Sequence, residues 1–127
     1  MKQFIAPQIT RDHLLSVEVG EEVSFIMPCE RKMRDDFLYE EYIAKFIGTY
    51  SPLQPQDEFF IAEEFAFYDT IDKVYYRDSK FVHGNEDWQE AQQITPEQSR
   101  FHGVVVDVRV EQLADDYVFH VIVKRLK

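Results

Sequence analysis

Two apolar segments near the C-terminal end, "GVVVDVRVEQL" at 103–113 and "YVFHVIVKRL" at 117–126, are separated by only "ADD". Each mixes period-two alternation with β-branched residues. That combination suits a pleated surface with one buried face, so the two segments are expected to pair as antiparallel strands. A chain organised around such a pair needs further strands and at least one helix to cover the apolar face.

The rest of the chain supplies them. "QITRDHLL" at 8–15 places Ile9 and Leu14-Leu15 at near-helical spacing behind Pro7, predicting a short helix that begins after a proline. "VSFIMP" reads as a strand ending at Pro28. Between Met33 and Ile47 the apolar residues Phe37, Leu38, Tyr42, Ile43, Phe46 and Ile47 favour a helix and also permit a strand with its turn. "GTYSPLQPQDE" reads as a surface loop feeding "FFIAEEF", a buried strand. "DKVYYRDSKFVHGNED" reads as a strand followed by a turn at Gly84-Asn85, and "TPEQSR" as a short helical turn or loop. The class is α+β: a small, curled, mostly antiparallel sheet with one or two short helices.

At 127 residues, 45% hydrophobic and 15% aromatic, the chain has the length of one domain, 1–127, and enough apolar material for one core. Its single cysteine, Cys29, excludes an internal disulfide, and cytoplasmic is the simplest expectation. There is no signal-like opening stretch and no run of 18 apolar residues, so neither secretion nor membrane spanning is expected. The net charge of −10 opposes generic nucleic-acid binding, which needs Lys and Arg to replace phosphate counterions. Residues 1–65 hold 13 acidic and 6 basic residues, net −7, against 11 and 8, net −3, in 66–127. The four histidines, His13, His83, His102 and His120, show no metal-ligand spacing, and no Gly-rich phosphate loop, nucleophile elbow or zinc motif is present. No metal and no cofactor are expected.

The run from Trp88 through "EAQQITP", Ser99-Arg100, "GVVVDVRVEQL" and "YVFHVIVKRL" resembles the C-terminal half of the phage-type ASCH family of PUA-like β-barrels, with Trp88 and Arg100 at the family's spacing. "DEFFIAEEF" is similar to the family's "GD.LWVRETF", with Glu63 on its glutamate and Phe65 on its aromatic. "YYRD" resembles its "YRAD". The likeness extends from about Gln56 to the C-terminal end, is loose over the first 30 residues, and has no counterpart for 29–53. It implies a small PUA-like barrel and, by origin, a phage or prophage gene acting in the host cytoplasm. The family's basic loop after the opening helix has no clear equivalent. One alignment puts Val19, Gly20, Glu22 and Val23-Ser24 there, converting a cationic site into an anionic one. Another uses "CERKMR", with Arg31, Lys32 and Arg34, as a displaced basic loop.

Candidate ligand-binding residues are Tyr76, Arg77, Trp88, Ser99 and Arg100. Arginine offers a planar fork of donors to phosphate or carboxylate, and an indole or the Tyr75, Tyr76 and Arg77 run suits stacking on a base. Each also has a structural reading: an ion pair or turn cap for Ser99 and Arg100, core packing for Trp88, ordinary strand packing for the tyrosines. His102 would share a strand face with Arg100. Glu63 is the one catalytic candidate, a general base if burial raised its pKa, but the lysine and threonine that accompany it in acetylcytidine-hydrolysing relatives are missing. Three functions are therefore expected in this order: a non-catalytic module recognising a nucleotide or unpaired nucleic acid, an acidic accessory protein that occupies a basic host surface, and an acetylcytidine-type amidohydrolase. Homodimerisation through an exposed sheet edge is unspecified by the sequence, as is the identity of ligand or host partner.

Overall fold

The computed structural model describes residues 1–31, 40–68, 71–77 and 87–127. In chain order these form β1 (Lys2–Phe4), α1 (Gln8–Leu15), β2 (Glu22–Pro28), α2 (Glu40–Tyr50), β3 (Glu58–Ile61), β4 (Phe65–Tyr68), β5 (Ile71–Tyr76), a 3₁₀ turn (Ala91–Gln93), β6 (His102–Leu113) and β7 (Asp116–Arg125).

The expected C-terminal pair is the centre of the molecule. β6 and β7 pair antiparallel around a tight turn in which Ala114 takes a left-handed φ of 55°. The register sets Val105 against Val123, Val108 against Val121 and Val110 against Phe119 on the inner face. A register shift between Val105 and Asp107 leaves Val106 as the extra residue, and it stands 46% exposed. β2 pairs with β7 along its whole length, burying Val23, Phe25 and Met27 while Glu22, Ile26 and Pro28 face outward. β3 pairs antiparallel on the other side of β6, and β1 adds in parallel to β3. The result is a five-stranded sheet of order β1-β3-β6-β7-β2, beside a separate β4-β5 hairpin. The α+β class and mostly antiparallel sheet are as expected. The sheet is open among the described residues, with β1 and β2 as its edges.

Two apolar clusters hold the layers. The main one joins the inner face of β2, β6 and β7 to Leu14 of α1, Phe46 and Ile47 of α2, and Leu53 and Phe59. Because successive strand residues face opposite ways, Phe59 and Ile61 enter this cluster while Phe60 enters the second, with Ala62, Phe65 and Ile94 and the partly buried Val74 and Tyr76. β3 is thus buried on both faces. Gly103 is required where it stands: a Cβ there would lie 2.8 Å from the Phe101 ring and 3.1 Å from that of Phe59.

α1 begins after Pro7, as read from the sequence, with Arg11 N–H donating to the Pro7 carbonyl at 2.9 Å. α2 differs from the sequence reading. It runs through Gly48 to Tyr50, residues expected in the loop, because Gln54 Nε2 donates to the carbonyls of Ile47 and Ser51, both at 2.8 Å, and so satisfies the helix end. The earlier part of that expectation, 33–39, lies outside the described residues, as do the Gly84-Asn85 turn, His83, Lys32 and Arg34. "FFIAEEF" is not one strand. β3 stops at Ile61, 62–64 leave the sheet, and β4 starts at Phe65 in the hairpin.

Candidate functional site

The break at 62–64 builds the most polar part of the interior. Ala62 N–H donates to the Phe4 carbonyl at 2.8 Å, and the Glu64 carbonyl accepts from Arg77 N–H at 3.0 Å, so the backbone is held on both sides of Glu63. That corner turns Glu63 inward until its side chain is 1% exposed. A carboxylate so deep needs a cation with matched geometry. Arg100 supplies it: Nε donates to Oε1 at 2.8 Å and Nη2 to Oε2 at 2.6 Å, a two-point fork. Arg11 of α1 approaches the same Oε2 with its Nε at 3.8 Å.

Arg100 lies over the Tyr76 ring, its Cζ 4.5 Å from the centroid. The Tyr76 hydroxyl donates to the Gln98 carbonyl. Burial pushes this phenol above its ordinary pKa, the Glu63 carboxylate adds to the rise, and Arg100 opposes it. Ser99, 1% exposed, donates through Oγ to the Ile61 carbonyl at 2.7 Å and accepts from Phe101 N–H at 3.3 Å, stitching the 95–100 turn to the end of β3. Ser99 is therefore a tether for the turn that aims Arg100. Arg125 braces the same turn, donating to the Arg100 carbonyl at 3.2 Å.

A second group sits on the opposite side of the hairpin, because Tyr75 and Tyr76 face opposite ways along β5. Gln89 bridges antiparallel to Phe65, which places Trp88 beside Ala66, and β5 places Tyr75 beside Ala66 from the other flank. Ala66 is small enough for the two large rings to close over it: Tyr75 and Trp88 meet edge to face, centroids 5.6 Å apart at 75°. Arg77 completes the group, its Cζ 5.7 Å from the Trp88 ring and its Nη1 donating to Glu64 at 2.8 Å. The Arg77 and Glu64 side chains are 57% and 48% exposed, and Tyr75 and Trp88 are half-buried. This outer group is a half-buried aromatic corner with an exposed donor and acceptor at its rim.

The five candidate residues thus fall into two sets, Tyr76, Ser99 and Arg100 inside, Arg77 and Trp88 outside. His102 is held elsewhere, with Nε2–H donating to the Pro96 carbonyl at 2.5 Å and the ring beside Phe60. Arg31 of the alternative basic loop lies over Tyr50, 5.3 Å from its centroid. Val19 and Glu22, the other alignment, are exposed around Gly20, whose N–H donates to the Arg125 carbonyl at 2.8 Å. The sequence reading missed Arg11. Its signal was a cation three residues before Leu14, on the helix side that Leu14 buries.

Among the described residues no group of His, Cys, Asp and Glu is arranged to hold a metal ion, and no helix is long and apolar enough to cross a membrane. No protein-family model, curated protein or solved structure matches the chain.

Proposed function

We propose that the chain is a non-catalytic, ASCH-like binding module of the PUA-like type, phage-encoded by resemblance and acting in the host cytoplasm, that holds a nucleobase of a nucleotide or unpaired nucleic acid. The observation that carries this reading is the Tyr75–Trp88 corner with Arg77 at its edge. Two half-buried rings meeting edge to face at 75° beside Ala66 are an aromatic pair of the kind that stacks on a planar base. Arg77 and Glu64 beside them supply a donor and an acceptor for base edges. In this reading the inner set is the frame: Ser99, Arg100, Glu63 and Tyr76 hold the hairpin that presents the corner. In this reading the open sheet is a shortened version of the family's curled barrel.

A second reading, an acidic accessory protein that occupies a basic host surface, draws on the net charge of −10 and on the pairing of Arg77 and Arg100 with glutamates, which leaves neither cation uncompensated. The amidohydrolase reading has less support, since both Glu63 oxygens already accept from Arg100 and the side chain is 1% exposed.

Trp88 is the only tryptophan, so its emission reports the corner directly. Titration with nucleosides, nucleotides and short unpaired RNA and DNA, at low and moderate salt, is expected to quench it saturably. Tyr75→Ala is expected to weaken binding roughly 5- to 160-fold, the range for losing one stacking contact of about 1–3 kcal/mol. Unchanged emission with every one of these ligands contradicts the reading and leaves the acidic-surface function, which a pull-down of basic host proteins would then address.

A further inference from the structure

The two edges of the main sheet are finished differently. β1 is three residues long, its charged Lys2 side chain is tied to Asp57 at 2.6 Å, and Gln3 Nε2 donates to the Gln92 carbonyl at 2.9 Å, so that edge is short and guarded. β2 runs seven residues in unbroken register with β7. Arg125 N–H donates to the Glu21 carbonyl at 3.0 Å, which sets the parity: Glu21, Val23, Phe25 and Met27 turn their backbone groups toward β7. The N–H and C=O groups of Glu22, Ser24 and Ile26 therefore point away from the sheet, with no partner among the described residues. Such an open row of donors and acceptors is a template for another strand.

The side chains along this edge fit a second copy of the same strand. On the outer face Glu22 lies beside Lys124, Ser24 beside Ile122 and Ile26 beside His120. A chain of net charge −10 here presents one acid next to one base, so two copies can approach along this strip without opposing carboxylates. With Ser24 of each copy opposite the other, Glu22 falls against Ile26 of the second copy, and no like charges meet across the seam. That is the one antiparallel register in which every outward N–H and C=O of residues 22, 24 and 26 is paired in both copies. It also covers Ile26, which is 47% exposed. Pro28, with no N–H to offer, ends the seam. Because β1 offers no equivalent edge, the pairing closes at two copies instead of growing into a filament.

We infer that β2 is a self-association edge, at which two copies join antiparallel about a two-fold axis at Ser24 and merge their five-stranded sheets into one. This does not depend on the aromatic corner, which belongs to the β4-β5 hairpin outside that sheet. Both copies are acidic, so added salt strengthens the pairing, whereas it weakens the binding of a nucleic acid or of a basic surface.

Sedimentation of the whole chain from micromolar to millimolar concentration, at low and moderate salt, is expected to show a monomer passing to a dimer. Amide exchange followed by NMR is expected to show the N–H groups of Glu22, Ser24 and Ile26 protected only in the dimer. Ile26→Glu sets a carboxylate against Glu22 of the other copy at both ends of the seam and should weaken the dimer roughly 5- to 30-fold, from two like-charge pairs and the lost cover of the isoleucine. Ile26→Lys, which faces the same Glu22 with an opposite charge, should dimerise at least about fivefold more tightly than Ile26→Glu. The same two substitutions at Leu113, exposed near the tip of the β6–β7 hairpin, should differ by less than about twofold. A chain that stays monomeric at millimolar concentration overturns the inference. So does a dimer in which those three amides remain unprotected, or one in which Glu and Lys differ no more at 26 than at 113. Sedimentation and amide exchange need no variant, so they decide even where a substitution unfolds the chain.

Discussion

Replacing Glu63 with Gln is the sharpest test of how the interior is organised. The substitution keeps the shape of the side chain and removes its charge. One carbonyl oxygen remains to accept from Arg100, while the new amide NH₂ points donors at a guanidinium that has only donors. The 1% exposed position admits little water to repair the loss, whereas Arg100, 25% exposed, can partly rehydrate. Breaking a buried pair by removing one partner costs about 3–5 kcal/mol, and the partial exposure of Arg100 puts this case near 3 kcal/mol. For 127 residues, at about 2.1 cal/mol/K of unfolding entropy per residue, that corresponds to a drop of roughly 11 °C in the thermal midpoint. The assay is thermal unfolding followed by circular dichroism, run for Glu63→Gln, Arg100→Met and the double substitution. The double variant is expected to be more stable than the sum of the singles predicts by about 2 kcal/mol, since each single substitution already breaks the Glu63–Arg100 fork that the second would otherwise remove again. A Glu63→Gln midpoint within about 3 °C of the parent, with additive singles, would refute the claim that this pair organises the corner.

Gly103→Ala is expected to destabilise by about 1–3 kcal/mol, read as a lower urea midpoint at unchanged slope, because the added methyl group meets the rings of Phe101 and Phe59 at 2.8 and 3.1 Å. Tyr76 gives a pH dependence of definite sign. Its folded phenol holds its proton above the ordinary tyrosine pKa of 10.0, whereas the unfolded phenol releases it there, so the stability it contributes is complete below that pH and lost as pH rises toward the folded value. Tyr76→Phe should therefore flatten the alkaline limb of the stability profile while lowering stability at pH 7 through loss of the hydrogen bond to Gln98, both measurable by urea unfolding between pH 7 and 11.

What the sequence made legible follows from how local each signal is. The β6–β7 pair declared itself because both strands carry alternation and β-branched residues and lie three residues apart. α1 was equally readable, with Pro7 marking its start. β1 was not: Lys2–Phe4 is three residues long and becomes a strand only by pairing in parallel with β3, more than 50 residues away. The apolar pattern runs through "FFIAEEF" and suggests one strand, yet the chain leaves the sheet at 62–64, where Glu63 pairs with Arg100, and Phe65 enters another sheet. The end of α2 depended on the side chain of Gln54, a capping contact with no sequence periodicity. The candidate residues were found by type, as aromatics and arginines near the family-like motifs, but their division between two sides of the hairpin follows from strand parity at Tyr75 and Tyr76. Arg11 was passed over because a single cation on a short helix ordinarily faces solvent.

The indole N–H of Trp88, a single resonance in a chain with one tryptophan, is the most direct reporter of the proposed base stacking at the Tyr75–Trp88 corner. Titrating the ¹⁵N-labelled protein with a nucleoside and, separately, with ribose 5-phosphate separates base from sugar and phosphate. With the nucleoside that resonance is expected to show a saturable ring-current shift, and with the sugar phosphate none. An indole resonance unmoved by the nucleoside would contradict the stacking.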